Sequence, residues 1–237
     1  MASRLGVSEM TVRRDLVELE QGARLVRIHG GAIARNGPAI AMDNDEPSFE
    51  ARVHHEGSAK AAIAGAALEL LAGCRTVALD VGTTTYALAQ RLIASPNIKI
   101  FTNSLQTAAL LCDKGFEVYV AGGRLRSGER SITGATAVAQ FEQLWFDVAA
   151  IGVSGVTNEG FFDYSFEEVE LKRLFLRRSG AKIVLCDSTK FRRMSLVHIG
   201  QLSEATAIVT DLEPPSEIRD ALRAAKVALH IAAALTT

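Results

Sequence analysis

The string Asp80-Val81-Gly82-Thr83-Thr84-Thr85 carries the densest chemistry in this chain. It ends a run of strand-like residues, Thr76–Leu79, and leads at once into a segment of helical period. A glycine lets the backbone turn, threonine hydroxyls donate, and the first amides of a helix have no intrahelical acceptor. Together they form a cradle for an anion, helped by the positive end of the helix dipole. The loop lacks the lysine and the spacing of a nucleotide P-loop, so the fit is to a single phosphate. The same residues also suit a capped helix whose threonines bond only their own backbone.

Three further strand ends carry polar or glycine residues of the same kind. Thr102-Asn103-Ser104 precedes a helical segment, so Asn103 is placed to grip a ligand hydroxyl, although Asn and Ser also cap helices. Gly122-Gly123 permits close backbone approach, or simply a turn. Asp187-Ser188-Thr189-Lys190 brings a carboxylate and an ammonium to one place. That pair suits a polyol phosphate, with Asp187 accepting from hydroxyls and Lys190 facing phosphate; a surface ion pair is the plainer alternative. Glu167, Glu168, Glu170, Lys172 and Arg173 share one predicted helix and read mostly as its solvated face, with Lys172 a candidate to turn into a pocket. No histidine or cysteine has a partner at metal-ligand spacing, so neither metal nor cofactor is expected.

A second kind of chemistry stands at the N-terminus. Ser8 is placed to cap a helix that carries Met10, Leu16 and Leu19 on apolar faces and stops near Gly22. Residues at the start of such a helix reach base edges in a major groove while arginines neutralise phosphates, which assigns Ser8, Thr11, Arg13 and Arg14 to DNA. The stretch from Arg24 to Gly31 alternates apolar and basic residues like a small hairpin, with Arg27 and His29 near its tip against the DNA backbone. Residues 1–35 hold six arginines against four acids, a mild excess that would not by itself identify a DNA binder.

The elements that must position these groups are legible from periodicity. Residues 34–57 have linker composition, with Asn36-Gly37-Pro38, Asp43, Asp45, Glu46 and Pro47, and a short helix is expected around Phe49, Arg52 and Val53. An alanine-rich helix starts near Ser58. Strand-like runs at 76–80, 98–102, 116–121, 148–153, 182–186, 207–210 and 227–231 then alternate with helical segments at 86–93, 105–112, 135–144, 166–177 and 216–224. That order predicts an α/β fold, a largely parallel sheet with helices on both faces, whose ligands gather at the carboxyl ends of strands. The chain is 48% hydrophobic and 22% charged with a formal net charge of −1, so any DNA contact must be local. Scattered cysteines (Cys74, Cys112, Cys186), no signal peptide and no membrane-length apolar run lead us to expect a cytoplasmic protein with no membrane partner.

Taken in order, Leu5-Gly6-Val7-Ser8-Glu9-Met10-Thr11-Val12-Arg13-Arg14-Asp15-Leu16, His29-Gly30-Gly31-Ala32, Asp80 to Thr85, Thr102-Asn103-Ser104 and Asp187 to Lys190 resemble the DeoR family of bacterial sugar-responsive transcription regulators. The resemblance implies a winged helix-turn-helix over 1–33, a linker over 34–57 and an effector-binding domain over 58–237. Relative to the family pattern the chain begins inside the second helix, so the head is expected to be partial. The C-terminal domain is expected to be similar in fold to ribose-5-phosphate isomerase. On that likeness Asp80, Gly82, Thr83, Thr84, Thr85, Asn103, Gly122, Gly123, Asp187 and Lys190 line the effector pocket, while Arg52 and Lys60 match positions tied to effector response. Ser154-Gly155-Val156-Thr157 stands where the isomerase pattern has two acids, which favours binding without turnover over an isomerase with a vestigial head. The implied partners are double-stranded operator DNA, a phosphorylated sugar and further copies of the chain, since such heads pair on two half-sites.

Overall fold

The computed structural model describes residues 10, 25–28, 31–34, 41–43, 46–93 and 98–233. Two compact units divide the chain, Met1–Ala41 and Met42–Thr237. In the first, β1 (Leu25–Ile28) pairs antiparallel with β2 (Gly31–Ala34), Leu25 opposite Ala34 and Ile28 opposite Gly31. The sequence predicts a hairpin within 24–31; the observed one runs on to Ala34, with Arg27 in its first strand opposite Ala32. Arg27 lies in β1; Ser8, Thr11, Arg13, Arg14 and His29 lie outside the described residues. Strand β3 (Ala41–Met42) falls where one unit gives way to the other.

The second unit begins with two helices, α1 (Phe49–His54) and α2 (Gly57–Leu70). Strand β4 (Thr76–Leu79), α3 (Thr83–Leu92), β5 (Lys99–Thr102), α4 (Leu105–Cys112) and β6 (Val118–Val120) follow. A hairpin of β7 (Arg124–Arg126) and β8 (Ser131–Thr133) leads to α5 (Ala135–Glu142) and β9 (Phe146–Gly152). Next come β10 (Gly155–Thr157), β11 (Gly160–Asp163), α6 (Phe166–Arg177) and β12 (Ser179–Leu185). The chain closes through β13 (Arg193–Met194), β14 (Val197–Gly200), β15 (Ala207–Thr210), α7 (Ser216–Ala224) and β16 (Ala228–Ile231).

Seven strands form one sheet in the order β16-β15-β12-β9-β4-β5-β6, with every neighbouring pair parallel. Strands buried on both faces need apolar residues at successive positions, and these have them. Val77, Leu79, Val148, Ala150, Ile183 and Leu185 pack with Ile63 and Ala67 of α2, Leu88 and Leu92 of α3 and Leu111 of α4. Their neighbours Ala78, Ala149, Ile151 and Val184 point the other way, toward Phe141 of α5, Leu174 and Phe175 of α6 and Leu222 of α7. Strand order runs outward from β4 through β5 to β6, then resumes at β9 on the other side of β4 and proceeds to β16. The direction therefore reverses between β4 and β9, and the carboxyl ends of those two strands splay open a crevice.

Periodicity does not reveal the small antiparallel sheet β10-β11-β14. Its strands are three or four residues long, too short for a period to show. It depends on a glycine: Gly160 has φ of 140°, and a Cβ there would lie 2.2 Å from the carbonyl oxygen of Gly200. Only a residue without a side chain lets β11 pass β14 this closely.

Candidate functional site

The crevice between β4 and β9 holds a cavity of about 230 Å³. Behind it, β4 hands over to Asp80, which is wholly buried and, against the sequence expectation, is not among the residues that line the cavity. Asp80 Oδ2 accepts hydrogen bonds from the Gly152 amide at the end of β9 (3.2 Å) and from Lys172 Nζ of α6. Lys172 also donates to the Gly152 carbonyl (3.0 Å) and stands 3.0 Å from Asp163 Oδ2 at the end of β11. One lysine thus closes the gap at the point where strand order reverses. Burial opposes its charge, but Asp163, Asp80 and Glu168 outweigh that, and Lys172 is held above its ordinary pKa. Burial pushes Asp80 up to about 6 despite the lysine.

The cradle predicted from sequence takes shape just above. Gly82, with φ of 144°, turns the chain into α3, and Gly82, Thr83 and Thr84 line the cavity. Thr85 does not; its hydroxyl donates to the Gly82 carbonyl (2.9 Å) and pins the turn. Asn103 is fully buried behind the loop, where its Oδ1 accepts from the Val81 amide (3.1 Å) and its Nδ2 has no partner among the described residues. It shapes the cradle from beneath. Gly122 and Gly123 lie outside the cavity lining. The Gly122 amide donates to Gln140 Oε1 (2.7 Å), and a Cβ on Gly123 would lie 2.6 Å from the Thr133 carbonyl oxygen, so close backbone packing accounts for Gly123.

Four cations besides Lys172 line the same cavity: Lys60, Lys190, Arg52 and Arg193. Lys60 is nearly buried and donates to the carbonyl oxygens of Arg52 and His55 (2.7 Å for the latter), which fastens the end of α1. Burial, with Lys190 and Arg52 nearby, lowers Lys60 to about 8. Asp187 lines the wall but spends its Oδ1 on Thr189, whose amide donates to it over 3.2 Å in the turn that carries Lys190.

The remaining wall is acidic, and composition gave no warning of it. Asp163, Glu168, Glu129 and Glu46 line the cavity. Glu129 accepts from Arg52, Glu46 accepts from Arg126 Nη2 (2.5 Å), and Arg126 Nη1 donates to Glu168 Oε1 (3.0 Å), which also accepts from Ser131. Ser165-Phe166-Glu167-Glu168 has the spacing of a capping box, and Ser165 Oγ does accept from the Glu168 amide (3.3 Å). The carboxylate does not return the bond; it turns into the cavity. Glu168 and Lys172 are one helical turn apart, so a single face of α6 supplies both, and the i, i+4 spacing was the one signal that could have found Glu168 beside Lys172. Burial, with Asp163 adding to it, pushes Glu168 up to about 7 against the pull of Lys172 and Arg126. Tyr164 donates to Asp43 Oδ2 (2.7 Å), which lies 3.3 Å from Arg193 Nη1, so Asp43, like Glu46 and Arg52, is tied to the wall. Among the described residues no group of three or more His, Cys, Asp or Glu side chains is disposed to hold a metal, and no helix is long and apolar enough to cross a membrane.

Comparison with known proteins identifies the family. Residues 55–212 match the model of the DeoR C-terminal sensor domain, and residues 1–36 match the DeoR-like helix-turn-helix domain. The glycerol-3-phosphate regulon repressor of Escherichia coli is 30% identical over 94% of this chain and 86% of its own length. The lactose phosphotransferase system repressor of Streptococcus mutans is 33% identical over 92% of this chain and 86% of its own. A ribose-5-phosphate isomerase in complex with phospho-erythronic acid overlays 56% of this chain and 52% of its own at a TM-score of 0.43 and 19% identity. With both family models matched in order and relatives aligned nearly end to end, the chain belongs to the DeoR family of transcription regulators.

Proposed function

We propose that this protein represses genes of sugar metabolism by binding double-stranded operator DNA through residues 1–33, and that a phosphorylated sugar in the cavity sets its DNA affinity. The observation that carries the reading is that Thr83 and Thr84, at the start of α3, line one cavity with Lys60 and Lys190. Free helix amides, hydroxyls and two ammonium groups in a half-enclosed site favour a phosphate monoester. Carboxylates on the opposite wall accept hydrogen bonds from hydroxyls, which completes recognition of a polyol. A ligand changes DNA affinity only if it binds the two states of the protein unequally. Residues 42–57 are the natural relay: they follow directly on the DNA-binding unit in sequence, and Glu46, Arg52 and His55 wall the cavity.

Binding without turnover suits the acid groups as they stand. Two cavity carboxylates are already paired, Asp163 with Lys172 and Glu168 Oε1 with Arg126. A homo-oligomer follows from the need to read two half-sites.

Thermal unfolding of the full chain with phosphorylated sugars and their unphosphorylated counterparts tests this reading. At a hundredfold excess over Kd a native-state ligand adds about 2.7 kcal/mol, a readily measured rise in Tm. Phosphorylated compounds should produce it and their counterparts should not. Equal shifts from both, or aldose–ketose interconversion abolished by Lys190→Ala, would overturn it.

A further inference from the structure

The carboxylates that line the cavity are not all satisfied by the protein. Glu168 is 97% buried in the sense that only 3% of its surface is exposed, and that remnant faces the cavity. Its Oε1 takes both of its bonds, from Ser131 Oγ and Arg126 Nη1. Its Oε2 accepts from no described residue. Around it the acids outnumber the bases. Asp80 and Asp163 share Lys172, Glu168 and Glu46 share Arg126, Glu46 and Glu129 share Arg52, and Asp80 Oδ1 is likewise without a partner among the described residues. A buried cluster short of positive charge is completed by a ligand that brings it, because a charge-assisted bond to a carboxylate is about twice as strong as a neutral one.

We propose that Glu168 selects the ligand by the group it carries away from the phosphate, and that this group is a protonated amine: the effector is an amino-sugar or amino-polyol phosphate. This rests on the phosphate reading above. Lys60 and Lys190 hold the anionic end, and the carboxylates of Glu168 and Asp163 receive the ammonium at the other. A hydroxyl in place of the amine would keep a hydrogen bond to Oε2 but leave the excess negative charge unmatched.

Matched pairs decide it. Isothermal titration of the full chain at neutral pH compares glucosamine-6-phosphate with glucose-6-phosphate, and serinol phosphate with glycerol-3-phosphate, alongside inorganic phosphate. The amine is expected to bind about tenfold more tightly than its hydroxyl counterpart in at least one pair, and Glu168→Gln to shrink that ratio to near one. Gln keeps an acceptor for Ser131 and Arg126, so the variant preserves the wall. Lys190→Ala is expected to weaken both members of a pair alike. Equal or tighter binding of the hydroxyl compounds, or an amine preference that survives Glu168→Gln, overturns the amine assignment and leaves the phosphate site standing. Failure of every phosphate-bearing compound, inorganic phosphate included, overturns both.

Discussion

Two side chains in the cavity titrate where experiments are easy, and each has its own signature. Glu168 is raised to about 7 by burial, so between its unfolded value near 4.5 and 7 the folded protein holds more protons than the unfolded chain. Its contribution to stability is present below pH 4.5 and is lost as pH rises through 7. Glu168→Gln removes that loss. The difference in Tm, variant minus wild type, is therefore expected to grow from pH 5 to pH 8; a flat or falling difference would contradict the burial argument. Lys60 is lowered to about 8, chiefly by burial. A bound phosphate restores its proton, so affinity for a phosphate monoester is expected to fall as pH rises through about 8, in a range where the ester itself is already a dianion. Lys60→Met should flatten that dependence in titrations from pH 7 to pH 9.5. Thr83, Thr84 and Lys190 were legible as residues of the cavity wall because a loop between strand and helix is a recognisable string. Glu46, Glu129 and Asp163 were not, since each reaches the site from a segment whose placement depends on the whole fold.

At the scale of elements the sequence was most informative where apolar residues repeat. The helical segments 105–112, 166–177 and 216–224 match α4, α6 and α7 end to end, and the run 207–210 matches β15. The helix expected from 86 starts three residues earlier, at Thr83, because polar threonines leave no apolar stripe in its first turn. Glu168 was hidden for the opposite reason: a polar face on a helix looks solvated until something covers it, and here β8 with its Ser131 does so. The small sheet β10-β11-β14 has no period to detect, but its dependence on Gly160 makes it testable. Gly160→Ala adds a methyl where the Gly200 carbonyl already stands and forbids the required φ. Such strain costs about 2–3 kcal/mol, which in a chain of this size lowers Tm by roughly 5–10 °C. Because β11 carries Asp163 toward Lys172, ligand affinity is expected to drop with it; an unchanged Tm would refute the close-approach account.

For the whole molecule, alternation of strands and helices announced a parallel sheet, and the reversal of strand order then decides where a ligand sits. That reversal cannot be read from the order of elements along the chain, since β9 could equally have been added beyond β6. Its stake is visible in Asp80 and Lys172. Had β9 paired elsewhere, the Gly152 amide and carbonyl would not reach them, and a carboxylate and an ammonium would be buried with half their partners gone.

The wall built from Glu46 to Lys60 bears on how this protein can be cut. A protease or a cloning primer that enters at Ser58 strips away Glu46, Arg52 and His55, and strands Glu129 and Lys60 without the groups they hold. A fragment opened at Met42 keeps them. The longer piece should retain phosphate binding and a Tm close to that of the parent, and the shorter one should lose both. The pocket wall therefore begins within a few residues of the boundary at Met42, so exchanging N-terminal units between relatives is expected to succeed only where the splice falls ahead of Glu46.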